Sequence, residues 1–128
     1  VLVPFCTMEL LSGIDEQRGP LLPTALIRAR ACELIATAHE DDEPDAYFSV
    51  GLLSICDALA GRSMADVLSE LPLDDTVTAA LLERTGPMGA ALTAVIACER
   101  GELPAHDADL ALMCYSDAVA WTESQGIL

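Results

Sequence analysis

The chain has 128 residues, 52% of them hydrophobic and 21% charged, and 21 acidic residues against 6 basic ones give a formal net charge of −15. That length fits one compact domain, and the apolar fraction excludes a disordered tail. The charge excludes nucleic acid and anionic membranes as partners, because a surface without a basic patch neither releases counterions from phosphate nor attracts acidic headgroups. All six basic residues are arginines: Arg18, Arg28, Arg30, Arg62, Arg84 and Arg100.

Apolar residues recur at helical spacing almost throughout, and no run alternates with period 2 long enough to demand a strand. An all-α domain is expected. Residues 1–13 read as a short apolar segment, and Ile14 to Pro23, with charge, glycine and proline, as a loop. A helix from about Leu22 to Ala38 places Ile27, Ala31, Leu34, Ile35 and Ala38 on one stripe, with Arg30, Glu33 and Thr37 opposite, so it is expected to be half exposed. His39 to Asp45 is an acidic loop in which Pro44 opposes further helix. The next helix, about Asp45 to Ala60, is apolar nearly all round through Phe48, Val50, Leu52, Leu53, Ile55 and Leu59, which predicts a central, covered position.

Gly61 stops that helix, and Ser63-Met-Ala-Asp66 has the spacing of a capping box for a short helix ending near Leu71-Pro72. Asp74 is placed to cap a helix that turns Val77, Ala80 and Leu81 inward. Gly86-Pro87 is a stop followed by a start, opening a helix with Met88, Ala91, Leu92, Val95 and Ile96 as its stripe, which ends at Gly101. Pro104 is expected to open the last helix, with Ala108, Ala111, Leu112, Tyr115 and Val119 in register. The count is about six helices in a compact bundle joined by short loops.

The five cysteines, Cys6, Cys32, Cys56, Cys98 and Cys114, form no C-x-x-C pair and mostly sit within apolar helical patterns. Reduced core thiols and a cytoplasmic location are expected, with Cys6 the one expected to be exposed. The most apolar stretch, Phe48 to Ala60, is shorter than the roughly 20 residues that span a bilayer. The chain opens at Val1 without an initiator Met, and the expectation is a piece of a longer multidomain protein, folded as one helical domain over 1–128.

Several blocks fall in a familiar order: Ile27-Arg-Ala-Arg-Ala-Cys-Glu-Leu-Ile-Ala36, Ala46-Tyr-Phe-Ser-Val-Gly-Leu-Leu-Ser54, Leu71-Pro-Leu-Asp-Asp75, Gly86-Pro87 and Ala97-Cys-Glu-Arg-Gly101. Together, over roughly residues 22–103, they resemble the carboxy-terminal half of an HDOD domain, as found in bacterial proteins that join an EAL domain to an HDOD domain. The resemblance implies an all-helical, HD-domain-like fold related to the HD and HD-GYP phosphohydrolases. It also implies a regulatory, protein-interaction role in bacterial signalling, linked to cyclic di-GMP through an EAL domain outside this sequence.

In catalytic HD relatives the helix equivalent to Phe48–Ala60 reads Gly-Leu-Leu-His-Asp, and the His-Asp pair binds a metal that activates water. Here Gly51-Leu52-Leu53 is followed by Ser54 and Ile55, and the position expected for the upstream histidine falls near Thr24. A hydroxyl is a poor ligand for such metals and isoleucine is none. The resemblance therefore implies no metal, no cofactor and no catalysis, with a protein partner, an upstream domain of the same chain or a second copy as what it contacts. The alternative is a degenerate hydrolase fold that binds a nucleotide or phosphate without turnover, for which Arg28, Arg30 and Arg62 are the candidate anion ligands.

Other candidates read blandly. His39 with Glu40, Asp41, Asp42 and Glu43 is a solvated loop, because consecutive residues point in different directions and no glycine forms a cation loop. His106, Asp107 and Asp109 fit the start of the last helix, where carboxylates favour the dipole. Asp57, on a nearly all-apolar helix, needs a partner, and Arg28, Arg30 or Arg62 is expected to supply it as an ion pair. Ser54 has no strained elbow or adjacent histidine that would make it a nucleophile. Trp121 and Tyr115, two of only five aromatics, are candidate interface anchors.

Overall fold

The computed structural model describes residues 21–105 and 107–126; the expected segment 1–13, the first part of the 14–23 loop, Cys6, Arg18 and His106 lie outside them. Among the described residues the fold is all-α and contains no strand. Its helices are α1 (Leu21–Ala38), α2 (Pro44–Leu53), α3 (Cys56–Ala60), α4 (Met64–Ser69), α5 (Asp75–Glu83), α6 (Gly86–Glu99) and α7 (Ala108–Ser124).

The central helix is α1, which corrects the sequence expectation. It packs on α2, α6 and α7 and buries Ala25, Ile27, Ala29, Ala31, Cys32, Ile35 and Ala36. Ala25 and Ala29 join Leu52 and Ile55 in one apolar cluster, whereas Ile27, Ala31, Cys32 and Ile35 belong to the main core with Val50, Leu92, Val95, Cys114 and Ala118. Two clusters on one helix require a thin helix, and alanine supplies it. Ala38, expected on the inner stripe, is exposed. Pro23 sits inside α1's first turn, where a missing N–H costs nothing.

Close approach of α1 and α2 depends on Gly51. A Cβ at this position would lie 2.5 Å from the Arg28 carbonyl oxygen and 2.6 Å from the Ala29 Cα. No side chain fits there, so the two backbones touch.

The helix expected over 45–60 is broken in two at Ser54 and Ile55. The Ser54 N–H reaches back only to the Gly51 carbonyl, at 3.4 Å, and the Ser54 hydroxyl donates to the same oxygen at 2.6 Å. Ile55 then leaves helical geometry at φ −108°, ψ 6°, and α3 restarts until Gly61 ends it at φ 67°. A serine hydroxyl that competes for its own helix's carbonyls bends a helix in this way. The second piece is shallower: Cys56 is buried, Leu59 half-buried and Ala60 exposed.

Expected boundaries hold at α4, where the Ser63 hydroxyl accepts the Asp66 N–H, and at α5, where Asp74 caps through its carbonyl to the Thr78 N–H and not through its carboxylate. The left-handed residue that ends α5 is Arg84 at φ 57°, not Gly86. Gly89 leaves room for that turn, since a Cβ there would come 2.3 Å from the Arg84 carbonyl carbon. The inner stripe of α6 is Met88, Ala91, Leu92, Val95 and Cys98, with Ile96 half-buried. Pro104 does not open the last helix; it is buried in the connection, and α7 starts after Asp107. On α7 the buried side is Ala111, Cys114, Ala118 and Thr122, which turns Leu112 outward.

Gly51→Ala is expected to destabilise the fold by about 1–3 kcal/mol or more, the usual cost of overpacking a tight contact. Gly61→Ala, in open space, should cost only the left-handed backbone penalty of roughly 1–2 kcal/mol. Urea unfolding midpoints of the two variants read the difference.

Candidate functional site

The Gly51 contact sets the Ser54 hydroxyl beside the Arg28 side chain. Arg28 Nη1 donates to Ser54 Oγ at 3.1 Å, while its Nε and Nη2 donate to the two carboxylate oxygens of Glu99 at 2.9 and 2.7 Å. The pair is mostly shielded, with side-chain exposures of 15% and 27%. Glu99 closes α6, so one guanidinium ties α1 to α2 and α6. The Nε and Nη2 fork grips the carboxylate bidentately, the strongest geometry available to such a pair.

Of the positions that the resemblance aligns with metal ligands, Ser54 lies at this junction, and the residues at all three do not fit a divalent cation. Ser54 Oγ already accepts from a guanidinium and gives its proton to the Gly51 carbonyl. Ile55 is buried in an apolar cluster, and Thr24 is half-buried near the start of α1. A fixed positive charge thus stands against the one oxygen that Ser54 could offer to a metal. Among the described residues no group of three or more His, Cys, Asp or Glu is placed to hold one.

The expected ion pair between Asp57 and an arginine is absent among the described residues. Breaking the helix at Ser54 leaves Asp57 only half-buried at the start of α3, where its carboxylate accepts the Ala58 N–H at 2.9 Å. The three candidate anion ligands pair elsewhere: Arg28 with Glu99, Arg30 with Glu33 at 2.5 Å and Arg62 with Glu70 at 2.9 Å. Arg30 also lies over the Trp121 ring, 5.3 Å from its centroid. This cation–π contact ties α7 to α1 and covers part of the expected anchor. Tyr115 is half-buried against the main core, and burial first, then the Glu99 charge, push its phenol up.

In the acidic loop, Asp41 is an organising residue. Its carboxylate accepts the Glu43 N–H and the Tyr47 hydroxyl, both at 2.9 Å. Asp107 does not cap α7 with its side chain; it faces His39 across 3.6 Å, beside a small apolar cleft that also involves Ile35, Pro87 and Leu110. Glu99 is the residue that the sequence pattern hides, because an acid at a helix end before glycine reads as a surface group. Arg84 and Arg100 were likewise not among the expected anion ligands.

The four described cysteines are buried and unpaired. Burial pushes the Cys32 thiol up to about 12, against a smaller opposing pull from Arg28 and Arg84. Burial first, then the hydrogen bond to Asp41, pushes the Tyr47 phenol up to about 12. No described helix is long and apolar enough to cross a membrane.

No family model matches the chain, and no solved structure matches it. It is 41% identical over 90 residues to the cyclic di-GMP phosphodiesterase CdgJ of Vibrio cholerae serotype O1, a match covering 69% of this chain and 21% of that protein. It is 32% identical over 108 residues to the uncharacterized protein YuxH of Bacillus subtilis, covering 79% of this chain and 26% of that protein. The chain spans about a quarter of the length of these curated relatives.

Two outcomes follow. Glu99→Gln should destabilise the fold by about 1.5–3 kcal/mol, the range for hydrogen bonds to charged groups, and Ser54→Ala by less; thermal unfolding of both variants measures this. Cys32 and Tyr47 both have raised folded-state values, so their contribution to stability is full below about pH 9 and is lost as pH climbs toward about 12. Urea unfolding across that window should show falling stability, with a shallower fall in Cys32→Ala and Tyr47→Phe.

Proposed function

We propose that this domain is a non-catalytic regulatory module of bacterial signal transduction that works by protein contact, with a partner or with another domain of its own protein, in cyclic di-GMP signalling. The observation that carries the reading is the Arg28 guanidinium on Ser54 Oγ. Where the HD phosphohydrolases resembled by this sequence would present metal ligands, this chain presents an internal salt bridge that holds three helices together. The link to cyclic di-GMP is supported by the relative named a phosphodiesterase for that nucleotide, of which the matched stretch is about a fifth. A domain whose helices are tied together internally and whose surface is acidic suits contact-based regulation, since charge complementarity fixes which partner docks and how fast.

Binding of a ligand through Arg28, Arg30 and Arg62 finds less support, because each of the three already has a carboxylate.

The test has two arms. The purified chain, incubated with Mn²⁺, Fe²⁺ or Mg²⁺, should hydrolyse neither cyclic di-GMP nor bis(4-nitrophenyl) phosphate; turnover that falls with Ser54→Ala would overturn the reading. Exchanging the matched stretch of the Vibrio phosphodiesterase for this domain should change the rate at which that enzyme hydrolyses cyclic di-GMP, and an unchanged rate after both exchange and deletion would count against a regulatory role.

A further inference from the structure

The arginines divide into two groups. Arg28, Arg30 and Arg62 are each paired with a glutamate. Among the described residues, no ion pair or side-chain hydrogen bond is made by the guanidinium of Arg84 or of Arg100. Among the described residues neither has a carboxylate within ion-pair distance, although the Asp57 charge acts on Arg84 and Glu102 lines the same cleft; in a chain carrying 21 acidic residues against 6 basic ones, that requires an explanation.

Both arginines line one open cleft of about 350 Å³, together with Thr93, Ile96, Ala97 and Glu102. The helical repeat builds it: positions 93, 96 and 97 fall at i, i+3 and i+4 on one face of α6, and Arg100, the residue that caps its C-terminus, follows at i+7. Arg84 joins that face because Gly89 lets α6 fold back against its backbone. The Thr93 hydroxyl gives its proton to the Gly89 carbonyl at 2.9 Å, so the donors left to the cleft are the two guanidinium groups. Ile96 and Ala97 supply a partly apolar floor.

Two features here work against stability. Arg84 holds a left-handed conformation at φ 57°, where glycine or asparagine is the usual occupant. Arg84 is exposed, yet desolvation first, and then the nearby charges of Arg28 and Arg100, pull its guanidinium down from the ordinary value, with the Asp57 carboxylate opposing. Like charges gathered at a strained position in a cleft mark a site awaiting an opposite charge.

We propose that the cleft between Arg84 and Arg100 binds a phosphate group carried by a small molecule. Two planar guanidinium forks suit the oxygens of a phosphate. Glu102, which also lines the cleft, favours a singly charged phosphodiester over a doubly charged monoester. The net charge of −15 favours a small ligand over an acidic macromolecule, because a larger polyanion meets the surrounding acidic surface while a small one stays within the roughly 8–10 Å reach of the two arginines. The site is separate from the regulatory reading: failure of phosphate to bind leaves that reading standing, and metal-dependent turnover would end it without touching this cleft.

The experiment is calorimetric titration of the full chain at low salt with inorganic phosphate, dimethyl phosphate and a cyclic dinucleotide, and with a phosphoserine peptide as the competing class. The variants are Arg84→Gly, which keeps the left-handed turn while removing the charge, Arg100→Gln, and the two combined; Arg62→Gln is the control for charge alone. Circular dichroism checks each fold, and Arg100→Gln alone serves should the double variant unfold. The expected result is binding by the wild type, weakened at least tenfold in the Arg84 and Arg100 variants and little changed in Arg62→Gln. No binding, equal weakening in the control, or tighter binding of the phosphopeptide than of the small esters would overturn the proposal.

Discussion

Two helix backbones in direct contact, at Gly51 against Arg28 and Ala29, govern the arrangement of the domain. Because α1 and α2 meet without side chains between them, Ser54 lies within hydrogen-bond reach of Arg28, and Arg28 is then aimed at Glu99 on α6. The same closeness brings Ala25 and Ala29 onto Leu52 and Ile55. A wider spacing would separate these contacts together, since interiors packed at crystal density do not stretch. The polar junction and the apolar cluster are thus two consequences of one missing Cβ.

Much of the chain's punctuation was legible in the sequence. Gly61, Ser63, Asp74, Pro87 and Gly101 mark real ends because each acts through its own backbone or its nearest neighbours. Harder to read was depth. Hydropathy ranks Phe48 and Leu59 above Ala29 and Ala36, yet the alanines are the fully buried ones, because the middle of a bundle selects for thinness as well as apolarity. The break at Ser54 was invisible for a related reason: nothing in the run Leu52-Leu-Ser-Ile-Cys56 is a helix breaker. The hydroxyl's second partner comes from another helix.

The site was legible only in part. The residue types at Thr24, Ser54 and Ile55 could be compared with a known pattern position by position. The group that fills the junction could not, because Glu99 stands 71 residues from Arg28 and no local signal links them. Asp57 shows the reverse case. Its expected ion pair rested on burial, and burial depended on a continuous helix that the fold does not have. Where an inference passed through an intermediate structural feature, it was as sound as that feature.

The order of the helices along the chain bears on how the domain comes to be folded. The most enclosed helix, α1, is the first described, and α7, which covers one of its sides and holds Trp121 against Arg30, is the last. While the chain is being synthesised, α2 can settle on α1 early through nearby residues. The opposite flank of α1 stays wet until α7 has left the ribosome. Between those moments the flank of α1 that α7 covers is open to other chains, which makes the late arrival of α7 a step at which a nascent copy is prone to misassembly.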